Sequence, residues 1–233
     1  MRALAVIWAP VRTLSRAAEE RWVLLAFGIV ALYAALNLVG TGLGAFSALD
    51  QLQSGPQAAE LPPEFEGFFT YFFVFALLFS VVWPFISWLL ISGLMQLVTR
   101  FFGGTGPFSG MLAVIGVAHV PYLIERLVQI PLVGLQILLV PDPAAAADPT
   151  TGEGLATTIL GLLSFLLWLA ALVWFVVLVV IGAAFARRVG YGESAGSCAI
   201  SCAGIVGLIL VVGVVLAVVV AAIVGAVGSA GPS

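Results

Sequence analysis

Lysine is missing from the 233 residues, and Asp, Glu, Lys and Arg together make up only 8% of the chain. A soluble domain carries about 25% charged residues, so this composition leaves no room for a separate soluble domain. Net charge is −3, which excludes the basic field that nucleic acid requires. There is one His and there are two Cys, too few for a metal centre rich in those ligands. Cys198 and Cys202 lie four apart, and two thiols alone make a poor zinc site; they read as small packing residues between helices. No cofactor is expected.

What is abundant is apolar: 63% of the residues are hydrophobic. Several runs exceed the ~20 residues that cross a bilayer. The fold class is therefore an all-α membrane protein, a five-span transmembrane helical bundle preceded by an N-terminal interfacial amphipathic segment. Residues 1–21 form that segment, with Leu4, Ile7, Trp8, Val11, Leu14 and Ala18 at helical spacing and Arg2, Arg12 and Arg16 between them. Pro10 is expected to split it into two short helices, lying in the membrane interface. It does not read as a cleaved signal peptide, because the next apolar run is about twice the length of a signal core.

Residues 22–233 form the transmembrane domain. Its five segments run over about 22–49, 68–98, 109–140, 155–186 and 194–227. Pro84 interrupts the second, and Pro121 and Pro131 the third, which is open to reading as one kinked helix or two halves. Arg2, Arg12, Arg16, Arg21, Arg100, Arg187 and Arg188 fall on one set of connections. The loops around 50–66 and 141–154 carry seven acids and no base. The positive-inside rule then gives five crossings, N-terminus inside and C-terminus outside. Phe65, Phe68, Phe69, Tyr71, Phe72 and Phe73 read as an aromatic belt at the outer face.

The third segment holds the sole His and the acid and base expected at membrane depth. With Tyr122 at zero and about 100° per residue, Glu125, Gln129 and Gln136 fall within about 60° on one side. His119 and Arg126 fall within about 60° on the other. Charges in hydrocarbon cost about 2.5–3.5 kcal/mol each on insertion scales, so this stripe is expected to face the bundle interior. His119, Tyr122, Glu125, Arg126, Gln129 and Gln136 form the candidate polar intramembrane site, and Asn37, Ser87, Gln96 and Ser164 are its candidate partners. Glu125 and Arg126 diverge by about 100°, so their pairing with each other is not to be assumed.

Gly103-Gly104-Thr105-Gly106 lacks the Lys and Ser/Thr of a phosphate loop and reads as a flexible inner turn. Gly190-Tyr191-Gly192 reads as a tight turn, with Glu193 opening the last helix where the dipole favours an anion. Gly40 and Gly44, Gly182 and Ala186, and Gly204 and Gly207 form small faces for close helix approach, in the bundle or in a homodimer. No nucleophile–base–orienter set is recognisable, so the chain is not read as an enzyme.

Several motifs resemble the Yip family, the Ypt/Rab-interacting proteins, and in particular their bacterial branch. They are Trp8-Ala9-Pro10-Val11-Arg12-Thr13-Leu14 with Glu19-Glu20-Arg21-Trp22; Gly103-Gly104-Thr105-Gly106-Pro107-Phe108-Ser109-Gly110-Met111-Leu112 leading into Val117-Ala118-His119-Val120-Pro121-Tyr122-Leu123; and Gly190-Tyr191-Gly192-Glu193-Ser194-Ala195. The resemblance implies five spans, a cytoplasmic N-terminus and association with partners rather than a reaction. The Asp-Leu-x-Gly-Pro type motif and longer N-terminal region of eukaryotic members do not occur here, so no Rab-binding residue is carried over. The expected role is a non-enzymatic organiser or adaptor of a bacterial inner membrane, with the lipid bilayer and a membrane-protein partner or homo-oligomer as contacts. The second expectation is a small transporter or oligomeric channel using His119, Glu125 and Arg126.

Overall fold

Inside a bilayer every backbone N–H and C=O must be satisfied by the chain itself, and helices do this locally. The structure is a computed structural model that describes residues 4–54, 63–140 and 150–229. Side chains of 48–54, of 63–70 and of most positions beyond 207 lie outside the description. So do the acidic loop residues 55–62 and 141–149, and with them the side chains of Phe65, Phe68 and Phe69 in the expected aromatic belt. Among the described residues, a 3-10 turn at Leu4–Val6 leads into seven helices: α1 (Pro10–Glu20), α2 (Val23–Ser54), α3 (Pro63–Phe101), α4 (Phe108–Ala118), α5 (Val120–Leu139), α6 (Gly152–Arg187) and α7 (Tyr191–Ser229).

Four described stretches are long and apolar enough to cross a membrane: Val23–Ser47, Tyr71–Phe101, Phe108–Leu139 and Gly152–Arg187. The expected fifth run forms the helix α7. The third span is the interior one. In its apolar window 67% is buried, against 17–28% in the other three.

The N-terminal segment breaks at Pro10, which sits in the first turn of α1, where its missing N–H costs nothing. α1 buries Thr13, Leu14, Ala17 and Ala18 and packs on α4 and α6. Leu4, Trp8 and Val11, from the same expected apolar face, stay exposed. Arg21 closes α1 in the left-handed conformation (φ 52°), so the chain turns into α2 within two residues.

Pro84 lies inside a continuous α3. It cannot donate to the carbonyl four residues back, that of Ser80. Asn37 Nδ2 on α2 donates to that carbonyl at 3.4 Å. The third segment is two helices in succession within one span. His119 ends α4 and caps α5, and its own N–H bonds the Gly116 carbonyl.

Small residues set the closest approaches. A Cβ on Gly116 would meet Ala26 on α2, including its Cα at 2.9 Å, and one on Gly182 would lie 2.9 Å from Val114 Cβ. Among the described residues, nothing lies within 4 Å of such a Cβ on Gly40, Gly44, Gly204 or Gly207. The small faces therefore divide: Gly182 and Ala186 serve internal packing, and the other two pairs meet no described neighbour at that distance. Cys198 is buried in the core and Cys202 is exposed.

Candidate functional site

Tyr33 lies 10 residues into α2, or about 15 Å along its axis at 1.5 Å per residue. Phe175 lies 12 residues before the end of α6, about 18 Å. Counted from those helix ends, each distance is about half the thickness of a hydrocarbon layer of about 30 Å. There the two rings close around the junction of α4 and α5. Tyr33 stacks on Tyr122 with centroids 5.7 Å apart. Phe175 lies 5.1 Å from Tyr122 and 5.1 Å edge-on from His119. His119 also approaches Tyr33 and Tyr122, at 6.1 Å each.

The His119 ring is buried, and its Nδ1 lies 2.8 Å from the Ile115 carbonyl. A carbonyl only accepts, so Nδ1 carries the proton. The break supplies the reason for this bond. The His119 N–H takes the Gly116 carbonyl instead, leaving the Ile115 carbonyl to the imidazole.

Six residues beyond His119, Glu125 is 4% exposed. Its Oε2 lies 3.3 Å from Arg126 Nε. The sequence left open whether these neighbours pair, and flexible side chains make the contact around the helix despite divergent Cβ directions. The two atoms are not aligned as a hydrogen bond, and each lacks a hydrogen-bond partner among the described residues. The Arg126 side chain is 30% exposed, so part of its length leaves the interior. Gln129 Nε2 donates to the Ser164 carbonyl on α6 at 3.3 Å.

The stripe is thus brought together from His119 to Gln129. Gln136 is half-buried and lies 11 positions beyond Glu125, about 16 Å along the axis. Of the four expected partners only Ser164 meets the stripe. Asn37 serves the Pro84 break, Ser87 bonds the Pro84 carbonyl within its own helix at 3.0 Å, and Gln96 bonds the Gly106 carbonyl at 3.4 Å. The other partners that meet it, Tyr33 and Phe175, are aromatic. Their signal was faint: an aromatic residue in a long apolar run reads as lipid-facing.

A second polar centre lies at the Arg-bearing end. Arg187, the last residue of α6, is 2% exposed. Its Nε donates to Thr99 Oγ1 on α3 at 3.0 Å, and its two terminal nitrogens donate to the carbonyls of Gly106 and Gly104. Thr105 N–H bonds the Arg187 carbonyl at 3.1 Å. The loop Gly103-Gly104-Thr105-Gly106 is therefore wrapped on a buried guanidinium rather than free. A Cβ on Gly106 would run into the Ala186 carbonyl, and one on Gly104 would lie 2.9 Å from the Thr99 carbonyl and 3.1 Å from Arg187 Nε. A planar cation with five N–H donors suits three acceptors on two elements.

Comparison with known proteins adds an identity to this geometry. No solved structure matches the chain. An uncharacterized protein of Methanocaldococcus jannaschii is 28% identical over 71 residues, which cover 30% of this chain and 50% of that protein. The chain thus matches about half the length of that relative. The Yip1 domain matches residues 4–214, a stretch that includes α1, the Arg187 clamp and the aromatic cluster around His119. The chain belongs to the Yip1-domain family.

Proposed function

We propose that this protein is a non-enzymatic organiser of a bacterial inner membrane, crossing it five times with the N-terminus inside and acting through helix contacts with a membrane-protein partner or a second copy. α7 makes the fifth crossing in this reading, which carries the C-terminus to the outer side. One observation carries it. A Cβ on Gly40, Gly44, Gly204 or Gly207 would meet no described residue within 4 Å, while His119 and Gln129 are engaged within the bundle. Small residues without neighbours let another helix approach backbone to backbone.

Crosslinking in native membranes followed by purification tests this. Wild-type protein is expected to yield one specific partner or self-crosslink, reduced several-fold by Gly40→Leu with Gly44→Leu. Recovery of nothing above background overturns the adaptor reading. The competing role is transport through the Glu125 region, whose Oε2 has no hydrogen-bond partner among the described residues. A proteoliposome flux abolished by Glu125→Gln would favour that role instead.

A further inference from the structure

Alongside α1 lies a cleft of about 490 Å³, lined by Arg12, Thr13, Arg16, Glu20 and Trp22. Ala5 and Ala9 also line it, and their small side chains leave the room. We propose that this cleft holds the phosphate of an anionic phospholipid headgroup.

Its chemistry points there. Arg12 and Arg16 are four apart on α1 and so share one face of the helix. Both are exposed, and the ion pair found among the described residues is that of Glu125 with Arg126. Two guanidinium forks one turn apart match the oxygens of a phosphate better than ammonium groups do. The acid in the cleft is already engaged: Glu20 Oε2 accepts from Trp22 Nε1 at 2.7 Å. That bond ties the carboxylate to the indole and leaves the two arginines for an incoming anion.

Position favours a lipid over a free phosphate. Trp22 immediately precedes the span Val23–Ser47, at the headgroup level where tryptophan rings gather. The same N-terminal segment exposes Leu4, Trp8 and Val11, Trp8 to 79%. These side chains offer apolar contact to the acyl chains that a headgroup carries and a free phosphate lacks. Anionic leaflets attract arginines placed beside a membrane-spanning helix.

The test uses the full chain in detergent, with bound lipid counted by native mass spectrometry. Phosphatidylglycerol and phosphatidylcholine are the probes, and inorganic phosphate is the competitor. Wild type is expected to retain phosphatidylglycerol over phosphatidylcholine. Arg12→Gln with Arg16→Gln should lower that retention about thirtyfold, which is what two lost arginine–lipid attractions of about 1 kcal/mol each give. Arg100→Gln, an exposed arginine outside the cleft, should leave it unchanged, and Glu20→Gln should not weaken it. Equal retention of the two lipids, or equal loss in the Arg100 variant, overturns the proposal. Displacement of the lipid by inorganic phosphate at matched concentration overturns the lipid assignment in favour of a free anion. Thermal melting of each variant separates lost binding from lost folding.

Discussion

Replacing Arg187 with Met keeps a long flexible side chain and removes every donor. The structure sets the magnitude. Three acceptors lose a charged donor: Thr99 Oγ1 and the carbonyls of Gly104 and Gly106. Hydrogen bonds to charged groups contribute about 1.5–3 kcal/mol each, and an apolar replacement recovers part of the cost of burying the charge. The acceptors left behind are neutral, so no charge is stranded, and the net expected loss is about 3 kcal/mol. At roughly 2–4 °C per kcal/mol for a chain of this size, the Tm should fall by about 6–12 °C. Scanning fluorimetry of the purified protein in one detergent measures it. Arg187→Lys should fall by about half as much, since an ammonium lacks the fork that reaches two carbonyls at once. Arg188→Met, at the exposed neighbour, serves as control and should not move. Gly106→Ala should also destabilise, through collision with the Ala186 carbonyl. Combined with Arg187→Met it should fall short of additivity, because both changes break the same contact. An Arg187→Met protein melting within about a degree of wild type, where the clamp requires several, refutes the reasoning.

Two other substitutions probe the packing. Gly116→Val places methyl groups where Ala26 already stands and should cost about 1–3 kcal/mol by overpacking, read as a lower denaturant midpoint; an unchanged midpoint would mean that α2 and α4 are not in this contact. Asn37→Leu removes the donor to the Ser80 carbonyl left free by Pro84 and should destabilise by about 1–3 kcal/mol. Adding Pro84→Ala should restore most of that loss, and absence of rescue in the same melt would separate Asn37 from the proline.

Hydrophobic run length was enough to place the helices. The expected runs 109–140 and 155–186 became Phe108–Leu139 and Gly152–Arg187, and Pro10 broke the N-terminal segment. Helical phase placed Glu125 inward as well, because a carboxylate in hydrocarbon has nowhere cheaper to go. Phase names the face of a helix but not what stands opposite it. Tyr33 and Phe175 reach His119 from other helices, and no local spacing encodes that meeting. Arg187 was legible only as one of a pair of basic residues marking the inner side. Its burial depends on Thr99 and on a glycine loop from a different part of the chain, so the loop read as slack when it is held. The pairing of Glu125 with Arg126 stayed open in the sequence because Cβ directions diverge while long side chains bend back.

The segmentation of the third span at His119 has a mechanical consequence. Before the break, α4 is enclosed on nearly every side; after Glu125, α5 turns Leu127, Val128, Leu135 and Leu138 outward. One half of that crossing is thus anchored and the other is bordered by whatever surrounds the protein. Damage to the anchored half should be felt as loss of the fold, whereas changes along the bordered half should alter the company the protein keeps while leaving its shape intact.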